Sequence, residues 1–106
     1  MREKDVVKSV LEFLALKRIW AWRNNTGAVV SEHKGKKRFH RYGAVGSPDI
    51  FAVLPSGKVM HIECKGPHGK LSKEQEEWQQ KAIDHGHYYI TAKDVADLFP
   101  FFGRVR

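Results

Sequence analysis

Residues 47–65 read SPDIFAVLPSGKVMHIECK, and this stretch decides the fold. An apolar run from Asp49 to Leu54 is closed by Pro55-Ser56-Gly57, and a second strand-like run follows from Lys58 to Lys65. Two such runs on either side of a short proline and glycine turn are typical of a β-hairpin. We therefore predict two antiparallel strands that lie side by side, with Asp49 at the head of the first.

The second strand of this hairpin is predicted to have two chemically different faces. Side chains alternate between the faces of a strand. One face carries Val59, His61, Glu63 and Lys65, and the other carries Met60, Ile62 and Cys64. The second face suits a hydrophobic core, so Cys64 is expected to be a small buried residue and not a nucleophile.

Helical and strand patterns alternate on both sides of the hairpin. Apolar spacing predicts a helix from about Glu3 to Lys17, and capping signals predict another from about Lys73 to His85. The remaining predicted elements are strands at Ile19 to Arg23, Lys36 to Tyr42 and His87 to Thr91, a turn at Asn24 to Gly27, a short helix at Lys93 to Phe99 and a tail from Pro100 to Arg106. The order αβββ(β)αβα predicts an α/β fold, with a small mixed sheet flanked by helices, in a single domain spanning residues 1–106.

The chain has a strong excess of positive charge. Its 19 Lys and Arg outnumber its 12 Asp and Glu, and the net charge of +7 favours a polyanionic partner such as nucleic acid. From His33 to Pro48 there is no acid, and the basic residues are Lys34, Lys36, Lys37, Arg38 and Arg41. Such a run is often only a solvated loop. Alternatively, it contacts DNA phosphates without reading sequence. Its glycines and its lack of a helical apolar stripe argue against a membrane-binding helix.

The cysteine and histidine residues indicate the cellular compartment and argue against a zinc site. The single cysteine excludes an internal disulfide and fits a reducing compartment. No apolar stretch approaches the ~20 residues of a membrane span, and the N-terminus lacks the apolar core of a signal peptide. We expect a cytoplasmic protein, in the host cytoplasm if the chain is viral. The six histidines lack the spacings typical of zinc sites, so we expect no catalytic zinc.

Asp49, Glu63 and Lys65 are the candidate catalytic residues. Taken alone, Glu63 and Lys65 are explained by an ion pair on a half-exposed strand. The hairpin would also bring Asp49 next to Glu63, and two carboxylates can hold Mg²⁺ through hard oxygen ligands. Lys65 can stabilise the transition state with its ammonium group or help to deprotonate the attacking water, and the sequence leaves both roles open.

Two further polar residues fall on apolar helix faces. At ~100° per residue, Glu3 lies near the middle of the apolar stripe of the first helix. It either points towards a site or is a first-turn carboxylate favoured by the helix dipole. Gln75 shares the inward face of the second helix with Trp78, but Ser72 to Gln75 also has the form of a capping box. Gln75 can cap the helix, face the site, or do both.

Four ordered blocks of the chain carry a family resemblance. The blocks are Arg23-Asn24-Asn25-Thr26-Gly27-Ala28, Gly46-Ser47-Pro48-Asp49-Ile50, Ile62-Glu63-Cys64-Lys65 and Leu71-Ser72-Lys73-Glu74-Gln75. In this order and at these distances they resemble the VRR-NUC family, the virus-type replication-repair nucleases of the PD-(D/E)xK superfamily. Glu3 sits where the first helix of that family carries an acid. The resemblance covers nearly the whole chain.

The resemblance implies a restriction-endonuclease-like core with a Mg²⁺ site, at which Mn²⁺ can substitute. The implied metal ligands are Glu3, Asp49, Glu63 and the backbone carbonyl of Cys64. Lys65 would be the catalytic base or an electrostatic partner, and Gln75 would orient or support the site. Stand-alone viral members of the family look like homodimers that act on branched DNA, including four-way (Holliday) junctions. We therefore expect a structure-selective DNA endonuclease that contacts its substrate through Arg23 and the basic segment.

The large aromatic residues are expected mainly in the core. Trp20, Trp22 and Trp78 are expected in the core, although Trp22 could stack on unpaired bases. The tail phenylalanines are expected to close the core or a subunit interface; they are Phe99, Phe101 and Phe102.

A basic nucleic-acid-binding module without activity is the chief alternative function, but such a module would not need the two carboxylates and the lysine together. A structural or assembly subunit leaves the clustered charge unexplained.

Overall fold

The structure is a computed structural model that describes residues 1–25, 27–42 and 44–104, without the side chains of residues 27–31 and 40–42. The longer elements are α1 (Glu3–Leu16), β1 (Trp20–Arg23), β2 (Gly27–His33), β3 (Lys36–Tyr42), β4 (Ile50–Val53), β5 (Val59–Cys64), α2 (Lys73–Asp84), β6 (Tyr88–Ala92) and α3 (Phe99–Phe102), with a 3₁₀ turn at Val95–Leu98. Strands β1, β4, β5 and β6 form one sheet in that order, and β2 pairs with β3 in a second sheet. Strand β6 is parallel to β5, and the other pairs are antiparallel. This mixed α/β architecture confirms the predicted fold class.

The core lies between α1 and one face of the four-stranded sheet. Fully buried residues of α1 include Val6, Val10 and Leu14, and the sheet contributes Ile50, Ala52, Met60, Ile62 and Cys64. Full burial of each larger aliphatic side chain contributes about 1.5–3 kcal/mol. The predicted burial of Cys64 is confirmed. No helix in the described ranges is long and apolar enough to span a membrane.

Strand β5 is more deeply buried than the sequence suggested. It lies between β4 and β6, and both of its faces are covered. The exposed fractions of His61 and Glu63 are only 5% and 2%. An ion pair on a half-exposed strand therefore does not describe Glu63. A carboxylate this deeply buried needs a compensating partner.

The basic residues from Lys34 to Arg41 lie on a hairpin, and one strand of this hairpin was not predicted from the sequence. Strand β2 pairs with β3 along its length, and the turn between them is Lys34-Gly35, with φ values of 51° and 75°. Two central residues with positive φ are typical of the tight type I′ turn, for which Asn-Gly or Asp-Gly is the usual signal. Lys34-Gly35 lacks that signal, which is why β2 was not predicted. Thr26 of the predicted turn before β2 lies outside the described residues.

The C-terminal tail begins with a short helix that was not predicted from the sequence. The predicted helix at Lys93 to Phe99 is a 3₁₀ turn, and α3 extends it into the tail. Proline fits the first turn of a helix because its missing N–H would have no partner there, so Pro100 is compatible with α3, which begins at Phe99. Phe99 and Phe102 pack on Phe13, with ring centroids 5.8 and 6.3 Å apart. The last two residues of the tail lie outside the described part of the chain.

A glycine holds the loop before β4 against the start of α2. Gly46 has a φ of 82°, and a Cβ added there would overlap the Glu74 carbonyl group, 2.7 Å from its carbon. Both the backbone conformation and the close approach require glycine. This contact fixes the loop that leads into Asp49.

Gly46→Ala is expected to destabilise the fold by about 3 kcal/mol, because strain at positive φ adds to overlap with backbone atoms. Gly57→Ala is the matched control, since Gly57 has a φ of 89° but open space around it. Its expected loss is about 1 kcal/mol. Urea unfolding of both variants measures the difference, and equal losses would mean that the contact with α2 contributes nothing.

Candidate active site

Three carboxylates converge at one end of the four-stranded sheet. Asp49 immediately precedes β4 and Glu63 lies near the end of the antiparallel β5, so the hairpin places them at the same end. Glu3 is the first residue of α1. Carboxylate oxygens of Glu3, Asp49 and Glu63 all lie within 4.8 Å of one another. The convergence predicted for the hairpin is present, and the first helical turn adds a third acid.

The neighbouring strand orients Asp49. Its Oδ2 accepts a hydrogen bond of 2.8 Å from the backbone N–H of Cys64. Cys64 follows Glu63 directly, so β5 supplies one carboxylate of the cluster and also the donor that orients another. A carboxylate can accept this bond and still offer lone pairs to a cation.

Asn24 fixes the chain that leads into Asp49. Its side-chain Nδ2 donates to Ser47 Oγ at 2.8 Å and to the Pro48 carbonyl at 2.9 Å. Its backbone N–H donates to the Asp49 carbonyl at 2.7 Å. Ser47 and Pro48 are buried, so an acceptor that lost Asn24 would have little access to water. No local pattern predicts this role of Asn24, because the partners of a loop amide depend on how distant segments meet.

Asn24→Ala is expected to lower catalytic activity by about 10- to 100-fold, the usual effect of removing a group that orients the ligands of a site. Asn25→Ala is the matched control, since Asn25 is exposed. Steady-state rates and thermal melts of both variants separate a misplaced Asp49 from general unfolding. Equal rates in the two variants would contradict the positioning role of Asn24.

The carboxylate cluster is electrostatically unbalanced. Burial, followed by the Asp49 carboxylate, raises the pKa of Glu63 to about 8, although the Lys65 ammonium opposes this shift. The charge of Glu3 also raises the pKa of Glu63, to a smaller extent. A divalent cation would neutralise this excess negative charge, and carboxylate oxygens are the hard ligands that Mg²⁺ prefers. The donor set at this site therefore fits such a metal.

The raised pKa of Glu63 predicts that stability falls with pH when no metal is present. Between its ordinary pKa of 4.5 and its folded pKa of about 8, the folded protein keeps a proton that the unfolded chain has released. Raising the pH through this window should therefore lower the free energy of unfolding of the wild type relative to Glu63→Gln. Urea unfolding in EDTA at pH 5, 6.5 and 8 measures this difference, and parallel profiles would refute the shift.

Lys65 completes the site. Its Nζ lies 3.6 Å from Glu63 Oε2, and its side chain is 12% exposed. The loop after β5 packs over its stem, because a Cβ added at Gly69 would lie 3.0 Å from Lys65 Cβ. Lys93 Nζ donates to the Pro67 carbonyl at 3.2 Å and ties this loop to the end of β6. The ammonium group is therefore held beside the carboxylates.

Gln75 makes the capping interaction that was one of its two predicted roles. Its Oε1 accepts from the Ser72 backbone N–H at 2.9 Å, and Ser72 Oγ accepts from the Gln75 N–H at 3.2 Å. The capping box of α2 is confirmed. The role of Gln75 in supporting the site stays a prediction.

Comparisons with known proteins agree with this geometry. The family model described as the VRR-NUC domain matches residues 3–94 of the chain. The chain belongs to the VRR-NUC domain family. A relative from Acyrthosiphon pisum secondary endosymbiont phage 1, named "Putative nuclease p44", is 31% identical over 65 residues, which are 59% of this chain and 70% of the relative. A solved VRR-NUC domain structure covers 94% of this chain and 96% of its own, with a TM-score of 0.65 and 17% identity, and so shares the fold.

Membership of the VRR-NUC family confirms the resemblance derived from the sequence and identifies a nuclease domain. Five of the predicted DNA contacts have side chains that the structure describes, and all five are exposed, as contacts to phosphates require; they are Arg23, Lys34, Lys36, Lys37 and Arg38. The side chain of Arg41 lies outside the described residues. Lys34, Lys36, Lys37 and Arg38 lie on the β2–β3 hairpin or its turn, and among the described residues this hairpin pairs with no strand of the larger sheet. Their contact with DNA stays a prediction.

Several residues near the VRR-NUC site were not predicted from the sequence. Trp78 Nε1–H donates to His61 Nδ1 at 2.9 Å, so the proton of neutral His61 is on Nε2, 2.8 Å from His87 Nδ1. Burial, followed by the charge of His87, lowers the pKa of His61 to about 4. The Tyr89 hydroxyl is buried without a hydrogen-bond partner in the described structure, and burial followed by the Glu63 charge raises its pKa. The parallel pairing of β6 with β5 aligns these residues, and that pairing has no local sequence signal.

The expected burial is wrong for Trp20, and Trp22, for which stacking on unpaired bases was the alternative, is also exposed. Trp20 and Trp22 are 71% and 43% exposed. Both lie on β1, an edge strand, whereas α2 packs over β6 and places Trp78 against His61. Helix α2 covers only part of this sheet face, which leaves the two β1 tryptophans accessible.

Proposed function

We propose that this VRR-NUC protein is a divalent-metal-dependent DNA endonuclease that cuts branched DNA, such as four-way junctions. The observation that carries the proposal is the convergence of Glu3, Asp49 and Glu63 within 4.8 Å. Glu63 is buried, Asp49 is partly buried and Glu3 is exposed, so the cluster combines a carboxylate that needs a compensating charge with two that solvent can reach. Such a group of acids suits a protein that binds metal and phosphate together. The phage relative named a nuclease supports the nuclease part of this proposal.

Each residue of the site has a proposed role. Glu3, Asp49, Glu63 and the Cys64 carbonyl would hold Mg²⁺, and Mn²⁺ would substitute. The bound ion would supply Lewis-acid stabilisation of charge on the phosphate and lower the pKa of a bound water. Lys65 would place its ammonium beside the developing charge, or accept a proton from the attacking water through a neutral form.

The protein would contact DNA mainly through phosphates. Arg23, Lys34, Lys36, Lys37, Arg38 and Arg41 are the proposed contacts. Such contacts carry no sequence information, so selectivity would depend on the shape of the DNA. A homodimer with two sites related by a two-fold axis would suit paired nicks across a symmetric junction. We further propose that the protein acts in the cytoplasm, which is that of the host cell if the chain is viral.

A substrate panel tests the proposed specificity. Labelled four-way junction, flap, single-stranded and linear duplex DNA would each be incubated with the protein and Mg²⁺, and the mass of the protein in solution measured at the same concentration. We expect the branched substrates to be cut fastest, by a dimer. If linear duplex is cut as fast as the branched substrates, the proposed preference for branched DNA is wrong. If the mass in solution is that of a monomer, the two-fold model is wrong.

A basic nucleic-acid-binding module that does not cut is the second candidate function, and it is favoured by the exposed cations of the hairpin. Thermal melts with increasing Mg²⁺ separate the two functions, because a ligand that binds the folded state raises the melting temperature. A nuclease with this acid cluster should be stabilised by the metal. The binding module predicts no shift even at high metal concentration.

A further inference from the structure

Aromatic side chains form a continuous row across the four-stranded sheet. The strand register places Trp22 opposite Phe51, Phe51 opposite His61, and His61 opposite Tyr89. The ring centroids along this row are 6.0, 5.0 and 6.3 Å apart. Trp20 joins the row beside Trp22, with the two ring centroids 5.5 Å apart. The spacing is that of interacting aromatic pairs.

The β1 end of this row is accessible from solvent. The exposed fractions of Trp20 and Trp22 are 71% and 43%, whereas His61 at the middle of the row is 5% exposed. Neither tryptophan belongs to the buried core, and an exposed tryptophan pair on an edge strand is typical of a binding surface. We call Trp20 and Trp22 the tryptophan platform.

The row containing Trp22 lies next to the candidate active site. Asp49 lies just before β4, two positions ahead of Phe51, and Glu63 follows His61 by two positions on β5. Two residues along a strand span about 6.6 Å. A ring stacked on Trp22 would therefore lie close to a phosphate bound at the carboxylates, within the reach of a few linked nucleotides.

Charge decides which occupant fits the tryptophan platform. Residues 17–25 include Lys17, Arg18 and Arg23 and no acid. A second copy of the chain would bring the same positive charge to this edge, and charges of the same sign repel. Unpaired DNA matches both properties, because its bases have flat apolar faces and its phosphates are negative. Paired bases are stacked within the duplex, so their faces are not accessible to the tryptophans.

We propose that the tryptophan platform stacks the unpaired bases of a DNA strand whose phosphate is bound at the carboxylates. This inference rests on the proposed nuclease function and narrows its substrate class to DNA with unpaired nucleotides beside the cleavage position. At a branched substrate, these nucleotides are those released where the arms separate.

Binding to short oligonucleotides tests the stacking directly. Fluorescence anisotropy would measure the affinity of Asp49→Asn protein, with Mg²⁺, for single-stranded thymidine 12-mers and for a duplex of equal length. In the Asp49→Asn background, Trp20→Leu and Trp22→Leu should each weaken the affinity for the single strand by about 10-fold. The affinity for the duplex should change by less than about twofold. Trp22→Tyr should restore most of the loss, since a ring is restored. Phe101→Leu is the control, because Phe101 is an exposed aromatic residue that packs on Tyr88, away from the platform.

Cleavage and mass measurements distinguish the remaining outcomes. In otherwise wild-type protein, Trp22→Leu should slow cutting of a four-way junction with unpaired thymidines at its branch more than cutting of the fully paired junction. Unchanged single-strand affinity, or equal losses on single strand and duplex, would overturn the stacking proposal even if the protein cuts DNA. A halved mass for Trp22→Leu would assign the platform to a contact between copies. Absence of cleavage by the wild type would refute the proposed nuclease function, and the affinities for single-stranded and duplex DNA would still decide whether the tryptophan platform stacks bases.

Discussion

Asp49→Asn is expected to lower DNA cleavage by about a thousandfold or more while leaving DNA binding intact. The loss of one carboxylate charge removes a proposed metal ligand, and metal ligands contribute several kcal/mol of transition-state stabilisation. The amide oxygen that this substitution introduces can still accept the bond that Asp49 receives from the Cys64 N–H, so the fold should survive. Single-turnover cleavage and anisotropy measure the two effects separately.

Stability provides an independent check on Asp49→Asn. The Asp49 carboxylate raises the pKa of Glu63, so removing its charge relieves repulsion in the cluster. Without metal at pH 8, the variant should melt at a higher temperature than the wild type. Gain of stability with loss of activity is expected when a functional residue is replaced. A variant that is both inactive and less stable would indicate that Asp49 has a mainly structural role.

Lys65→Met is expected to lower the single-turnover cleavage rate by about 10²- to 10⁴-fold, the range typical of a group that transfers a proton or stabilises charge in the transition state. Methionine keeps most of the length of the lysine side chain, which is only 12% exposed, so packing under the loop after β5 should be preserved. The exposed Lys70 offers a matched control, and Lys70→Met should cut at close to the wild-type rate.

The pH dependence of the Lys65 variants would separate the two proposed roles. Lys65→Arg keeps a positive charge that does not titrate in the working range, so it can stabilise charge but cannot accept a proton. Substantial activity in Lys65→Arg would favour electrostatic stabilisation, and inactivity equal to that of Lys65→Met would favour the proton-transfer role. Full activity in Lys65→Met would exclude Lys65 from catalysis.

The parts of the site predicted from the sequence are those fixed by strand and helix periodicity. Alternation along β5 separated Glu63 from the buried Cys64, and the Pro55-Ser56-Gly57 turn brought Asp49 beside Glu63. Helical periodicity singled out Glu3 as an acid on an apolar face, and the structure places it in the cluster. These patterns are local, so they survive without knowledge of the tertiary fold.

The features that the sequence did not predict depend on contacts between distant segments. The hydrogen bonds of Asn24 require the loop before β4 to meet the end of β1. Exposure of Trp20 and Trp22 depends on where α2 lies across the sheet, which hydrophobic patterning does not specify. Strand β2 was missed because Lys34 occupies a turn position at which asparagine or aspartate is the usual signal.

Cleavage of a labelled four-way junction before and after metal addition tests the central claim most directly. Wild-type protein in EDTA should bind the junction without cutting it, and excess Mg²⁺ or Mn²⁺ should start cleavage within the same sample. Binding without cleavage under every metal condition, or cleavage at the same rate in EDTA, would contradict the assignment of Glu3, Asp49 and Glu63 as the metal centre of a nuclease.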